Sequence, residues 1–92
     1  MVEVNVVTFA RIKKIIGKKQ FPFEAILIKD LIANLILEFG PELEKELFNE
    51  KGEIRKIYRI IVNARNINLL DGFETKLQEK DMVVLMPAIA GG

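Results

Sequence analysis

The segment that decides the fold class reads IKDLIANLILEFG and spans residues 28–40. Its large apolar residues recur three and four positions apart, on one stripe of a helix at about 100° per residue; they are Ile28, Leu31, Ile32, Leu35, Ile36 and Phe39. Asp30 lies in the first turn, where a negative charge complements the helix dipole. Gly40 suits the left-handed position after a helix, and Pro41 cannot continue one. We expect an amphipathic helix ending near Phe39, with Leu37 off the stripe, either exposed or covering the next segment.

Two strands are predicted before this helix. Residues 2–9, VEVNVVTF, alternate and are rich in β-branched types, which indicates a strand with Val2, Val4 and Val6 toward the core. Residues 10–20, ARIKKIIGKKQ, are interpreted as a loop or short turn region. Residues 23–28, FEAILI, form the second strand, opened by Pro22, because a strand start tolerates the missing N–H.

A short helix and two or three strands are predicted after it. Residues 41–53, PELEKELFNEKGE, can form a helix with Leu43 and Leu47 four apart, followed by a turn. Residues 58–63, YRIIVN, read as a strand, and residues 67–70 as a short one before an Asp71-Gly72 turn, with Leu77 as an apolar anchor beyond it. Residues 82–86, MVVLM, form a near-continuous apolar run, typical of a central strand with both faces buried, or with one face buried and one used.

This order of elements predicts an α+β fold of the β-grasp, or ubiquitin-like, type. A mixed sheet of four to five strands would pack on one main helix, with the first and last strands parallel and adjacent at its centre. We expect one domain over residues 1–86 and a flexible C-terminal tail over residues 87–92, ending in Gly91-Gly92.

The composition excludes several classes of chemistry. The chain has 92 residues, 29% of them charged, and a net charge of +1, which favours a soluble, cytoplasmic protein over a membrane or nucleic-acid binder. It lacks Cys, His and Ser, so a Ser or Cys nucleophile with a His base, a Cys/His zinc site and a Cys-ligated iron–sulfur cluster are all impossible within it. We expect no metal or cofactor bound by this chain, although carboxylate chemistry stays formally open.

Several stretches of the chain resemble the MoaD/ThiS family of ubiquitin-like sulfur carriers, which includes the archaeal small modifier proteins. The first strand and its exit, VVTFARIKKIIG, match, as does the helix, KDLIANLILEFG. The most specific stretch is the C-terminal third, IIVNARNINLLDGFETKLQEKDMVVLMPAIAGG. Three positions depart from the family: Lys80 replaces a usual Gly, Ala88 replaces a usual Pro, and Leu27 stands where Thr or Ser usually caps the helix.

The resemblance implies that the reactive group is the carboxylate of Gly92. A partner adenylating enzyme of the ubiquitin-activating type would use ATP to form an acyl-adenylate, and sulfur transfer would give a thiocarboxylate. The tail would thread into the partner, reaching about 20 Å if extended; its threading residues would be Pro87, Ala88, Ile89, Ala90 and Gly91. Ile89 would fill a pocket along the path or contact the chain's own surface.

The same resemblance leaves the acceptor open. Sulfur would pass to the large subunit of molybdopterin synthase, with this chain as the small subunit, or to another acceptor such as the tRNA thiolation system. Alternatively Gly92 would be joined to lysines of target proteins, as in a protein modifier. A third alternative is a stand-alone RNA- or protein-binding β-grasp module.

Docking of the body requires a surface next to the tail. The candidates are Phe9, Arg11, Met82, Val84 and Met86, of which the four apolar residues alternatively pack in the core. No acid interrupts the basic stretch between Glu3 and Glu24; its cations are Arg11, Lys13, Lys14, Lys18 and Lys19. This stretch is a solvated loop, steers an acidic partner or contacts RNA. The lack of aromatic residues between the lysines argues against RNA.

Overall fold

The structure is a computed structural model and describes residues 2–88. Its strands are β1 (Val2–Thr8), β2 (Gln20–Ala25), β3 (Tyr58–Val62), β4 (Arg65–Asn66) and β5 (Met82–Pro87). Its helices are α1 (Ala10–Ile16), α2 (Ile28–Phe39) and α3 (Pro41–Leu47), and two 3-10 turns cover Ile67–Leu69 and Gly72–Glu74.

The five strands form one mixed sheet in the order β2-β1-β5-β3-β4. The two central strands, β1 and β5, are parallel, with Asn5 opposite Met82 and Thr8 opposite Leu85. Every other pair is antiparallel. This arrangement confirms the predicted β-grasp topology, including the parallel pairing of the first and last strands.

The helix α2 forms where its apolar stripe predicts it. Leu31 and Leu35 are fully buried, and Ile28 and Ile32 are at most 2% exposed. The backbone N–H of Leu27 donates to the Asp30 carboxylate at 3.2 Å, so the helix is capped from its third residue although Leu27 has no polar side chain. Leu37 is 83% exposed, so of its two predicted alternatives it is exposed and does not cover the next segment.

The core lies between α2 and one face of the sheet. Alternation along the strands turns one set of side chains toward the helix; the fully or nearly fully buried members of this set are Val4, Val6, Ile60, Val83 and Leu85. Leu43 and Leu47 of α3, predicted from their spacing, are also completely buried.

The predicted loop over residues 10–20 is wrong in its first half, which is the helix α1. Ile12 and Ile16 lie four residues apart and are 0% and 7% exposed, so this short helix is held by tertiary burial. Gly17 ends it at φ +86°, the left-handed conformation that glycine adopts without strain.

The second strand is β2, three residues earlier than predicted, and Ile28 belongs to α2. Pro22 therefore lies inside the strand, which is tolerated because β2 is at the edge of the sheet. The short strand predicted over residues 67–70 is also wrong. A two-residue strand, β4, precedes a 3-10 turn there, because the Asn66 side chain accepts a hydrogen bond from the Asn68 N–H at 2.9 Å.

The third strand ends at Val62, since Asn63 and Ala64 form the two-residue turn to β4. Both have positive φ, +49° and +73°, as a type I′ hairpin turn requires. Within residues 2–88, no helix has the length and apolarity that a membrane crossing requires.

Candidate functional site

The face of the sheet opposite α2 carries a continuous apolar stripe. The pairing register places Val7 beside Val84, and Val84 beside Ile61. Met82 and Met86 lie on the same face of β5, because they are two residues on either side of Val84. We call Val7, Ile61, Met82, Val84 and Met86 the outer stripe. This face explains the unbroken apolar sequence of β5, whose alternate residues Val83 and Leu85 fill the core.

The outer stripe is accessible at the surface. Met82 is 41% exposed, and Ile61, Val84 and Met86 are half-buried, whereas Val7 is buried among its neighbours. Met82, Val84 and Met86 were docking candidates from the sequence, and the structure brings all three together. The sequence reasoning missed Val7 and Ile61, although the alternation in both strands pointed to them.

Phe9 lies at the end of β1, next to this face. Its backbone is extended, and Thr8 before it is fully buried, so alternation turns Phe9 away from the core. Its side chain is 37% exposed, which rules out the alternative of core packing. The Lys19 ammonium lies 5.7 Å from the centre of its ring, within the range of a cation–π contact.

The last described residues show where the tail leaves the body. Pro87 lies opposite Tyr58 in the ladder with β3, and the N–H of Ala88 donates to the Ile57 carbonyl. The strand therefore extends beyond the predicted end at Met86. Because successive N–H groups of a strand point to opposite sides, the missing N–H of Pro87 faces the β1 side, where pairing has already ended at Thr8.

The tail exit, defined by Pro87 and Ala88, lies at the end of the sheet where β1 also ends. This follows because β1 and β5 are parallel, so their C-terminal ends coincide. Phe9 and Met86 are therefore close to the exit, whereas Met82 lies at the other end of β5, about 20 Å from Ala88 along the strand. The predicted tail residues Ile89, Ala90, Gly91 and Gly92 lie outside the described residues.

Comparison with known proteins identifies this arrangement. The profile of the ThiS family matches residues 6–92. A relative from Archaeoglobus fulgidus, named a sulfur carrier protein, is 34% identical over 76 residues, which cover 83% of this chain and 85% of the relative. The chain belongs to the ThiS family.

Two further relatives of this ThiS-family chain are archaeal modifier proteins. Small archaeal modifier protein 3 of Haloferax volcanii is 26% identical over 93 residues, covering 98% of this chain and 99% of the relative. The solution structure of small archaeal modifier protein 1 from Methanosarcina acetivorans superimposes with a TM-score of 0.83 at 30% identity, covering 100% of this chain and 98% of that one. The predicted family and its ubiquitin-like β-grasp fold are thus confirmed.

Arg11, the remaining docking candidate of this ThiS-family chain, belongs to a polar cluster. Its Nε donates to Glu46 Oε1 at 2.9 Å, although 70% of the Arg11 side chain is exposed. Glu46 also accepts from Arg55 at 3.3 Å and from the buried Tyr58 hydroxyl. We call Arg11, Glu46, Arg55 and Tyr58 the Glu46 cluster; it joins α1, α3 and the start of β3.

The contacts in the Glu46 cluster shift the pKa values of Glu46 and Tyr58. The hydrogen bond from Tyr58, followed by the bond and charge of Arg11, lowers the pKa of Glu46 against the opposing effect of burial. Burial, followed by the hydrogen bond to Glu46, raises the pKa of Tyr58 to about 12. Sequence reasoning missed Glu46, but its position three residues after Leu43 places it on the buried side of α3.

Asn63 and Asp81, both in the family-like C-terminal third, contact each other at the end of the sheet opposite the tail exit. Asn63 Nδ2 donates to Asp81 Oδ1 at 2.8 Å, and Asn63 Oδ1 accepts from the Met82 N–H at 2.9 Å. Lys80, where the family usually has Gly, adopts φ +70°, a conformation that glycine favours. Its N–H donates to the Glu3 carbonyl at 2.8 Å, which ties the turn to the start of β1.

Proposed function

We propose that this chain is a sulfur carrier whose C-terminal Gly92 is activated by adenylation. In this reaction the Gly92 carboxylate attacks the α-phosphate of ATP, and pyrophosphate leaves. Hydrosulfide, supplied through the partner, then attacks the acyl carbon, AMP leaves, and the sulfur remains on Gly92 as a thiocarboxylate. ATP and the catalytic residues would belong to the partner, since the chain lacks the Ser, Cys and His side chains of common nucleophiles and bases.

The observation that carries the proposal is the outer stripe, which runs along β5 directly to the tail exit. An accessible apolar face of this kind suits a protein partner. A partner bound to it would hold the body while the residues beyond Ala88 reach about 13 Å, if extended, into an active site. Small residues at Ala90 and Gly91 would let a narrow channel close around them, because neither has a side chain beyond Cβ.

The acceptor of the sulfur would be the large subunit of molybdopterin synthase or a tRNA thiolation system, both in the cytoplasm. A second function, conjugation of Gly92 to target lysines, is favoured by the two modifier proteins among the relatives. Both functions use the same activated carboxylate, so one chain can serve both. A stand-alone binding module has less support, because it gives no role to the alignment of the outer stripe with the tail exit.

The deciding experiment is ATP–pyrophosphate exchange with the ubiquitin-activating-type adenylating enzyme of the source organism. The full-length chain should stimulate exchange, and the matched form lacking Gly92 should not. Mass spectrometry of the carrier isolated from its native host should then show replacement of one oxygen by sulfur. A native pool with only the free carboxylate, together with no exchange, would refute the proposal.

Conjugation is tested separately by searching host lysates for species larger than the free chain. True conjugates survive reducing denaturant and disappear when Gly92 is removed, because an isopeptide bond resists thiols. If the thiocarboxylate is found without any such species, the chain is a carrier alone.

A further inference from the structure

Six exposed cations lie on two segments at the end of the sheet where the tail leaves. We call Lys13, Lys14, Lys18, Lys19, Lys56 and Arg59 the cationic collar. The first four lie on the segment that joins the end of β1 to the start of β2, and the last two lie where the chain enters β3. Because β2 and β3 run antiparallel to the central strands, they start where β1 and β5 end. Both segments therefore lie at the same end of the sheet as Ala88.

The charge of the collar is not balanced along its own segments. Neither residues 9–20 nor residues 55–59 contain an Asp or Glu. The nearest buried acid, Glu46, already contacts Arg11 and Arg55, which are therefore left out of the collar. The ion pairs found among residues 2–88 involve none of the six collar side chains.

The opposite end of the sheet carries a net negative charge. Its loops, strand ends and the start of α2 carry more acids than bases: Glu3, Glu24, Asp30, Asp71, Glu74, Glu79 and Asp81 against Lys29, Arg65, Lys76 and Lys80. In a chain with a net charge of only +1, the two collar segments thus form a local positive patch, while the end of α2 and α3 carry the exposed acids Glu38, Glu42 and Glu44. Such a field orients a molecule during encounter, even when its net charge is small.

We propose that the collar docks on an acidic protein surface around the channel that receives the tail, and the first such partner is the activating enzyme. This inference rests on the proposed function. A polar rim around an apolar centre is the usual anatomy of protein interfaces, and Arg59 of the collar lies directly beside Met86 of the outer stripe. Complementary charge would align the tail with the channel before the apolar contacts form.

A protein fits this surface better than RNA does. Single-stranded nucleic acid is bound by cations interleaved with aromatic rings on which bases stack. The one exposed aromatic ring near the collar is Phe9, among the residues that the structure describes, and Lys19 lies over it. The apolar outer stripe beside the collar would also have no function against a phosphate backbone.

The test compares two charge-matched triple variants in the exchange assay with the activating enzyme. The collar variant is K14E/K19E/K56E, and the control is R65E/K76E/K80E at the end of the sheet opposite the tail exit. We expect the collar variant to raise the KM for the carrier about tenfold or more with little change in kcat, because steering changes encounter rates by at least that factor. The control should stay within about twofold of wild type.

Salt provides a second readout that a folding defect would not reproduce. The Debye length falls from about 10 Å at 0.1 M salt to about 3 Å at 1 M. The KM difference between wild type and the collar variant should therefore shrink as salt rises, while circular dichroism shows the same fold for both.

Three results would overturn the inference, and they are distinguishable. Equal KM values for the collar variant and the control would overturn it while leaving the proposed function intact. No exchange with the wild-type chain would overturn the proposed function and this inference together. A gel shift of bulk host tRNA that the collar variant loses, with exchange unchanged, would assign the collar to nucleic acid instead.

Discussion

Replacing Glu46 with Ala should destabilise the fold by about 2 kcal/mol, which is the expected loss for a hydrogen bond between a charged group and a buried partner. The magnitude follows from the Tyr58 hydroxyl, which donates to Glu46 from a residue that is only 5% exposed. Without the carboxylate, this donor stays buried with no acceptor. The ion pairs with Arg11 and Arg55 add little to this loss of stability, because the Arg11 side chain, for example, is 70% exposed and can return to water.

The assay is urea unfolding followed by circular dichroism, since the chain has no Trp to report the transition. The matched control is Glu44→Ala on the same helix, whose side chain is exposed and whose loss should cost less than about 0.5 kcal/mol. Tyr58→Phe should cost about 1 kcal/mol, because the carboxylate keeps its arginine partners. The double variant should then lose less than the sum of the single losses.

The Glu46 cluster also fixes the direction of the pH dependence. The pKa of Tyr58 is higher in the folded state, about 12, so its contribution is complete below the ordinary pKa of about 10 and is lost as pH rises through 12. The pKa of Glu46 is lowered, so its contribution is present above its unfolded pKa and is lost as pH falls through the folded value. Equal losses for Glu46→Ala and Glu44→Ala, or a Tyr58→Phe variant with the wild-type alkaline profile, would refute this reasoning.

Three further variants test the site and the fold. Val84→Lys places a charge in the middle of the outer stripe and should raise the KM for adenylation about tenfold, against little change for Asn34→Lys on the exposed side of α2, away from this face; equal effects would remove the stripe from docking. Ala64→Gly should raise the free energy of unfolding by about 0.5–1 kcal/mol, since glycine relieves the positive φ of the hairpin turn, and a loss measured by urea unfolding would contradict that. Leu35→Ala should cost about 3 kcal/mol and Leu37→Ala less than about 0.5, because Leu35 is fully buried and Leu37 is 83% exposed; similar losses would contradict the orientation of α2.

The sequence predicts this fold best where a long period is present. The twelve residues of α2 repeat one spacing often enough to exclude a strand, and the alternation in β1 fixes its inner face. The helix α1 was missed because only Ile12 and Ile16 mark its buried side, and the lysines between them indicate a loop equally well. Its stability comes from contact with the core, which local spacing does not reveal.

The candidate site was predictable in part for a similar reason. Met82, Val84 and Met86 alternate with the core residues of one strand, so their common face follows from β5 alone. Val7 and Ile61 join them only through the register between strands, which is a tertiary property. The pairing of Pro87 likewise depends on where β1 ends beside it. Glu46 required knowledge that Tyr58 and two arginines would converge on one side of α3.

The parallel pairing of β1 with β5 has a consequence for how the protein is made. The strand at the centre of the sheet is the last of the five to leave the ribosome, so β1 must wait for nearly the whole chain before it finds its neighbour. Such non-local pairing slows folding, and until it occurs the unpaired N–H and C=O groups along one side of β1 are open to wrong partners. A chain interrupted before Met82 lacks the middle of the sheet and should be degraded. Any copy that folds has therefore been translated at least to the strand from which the tail departs.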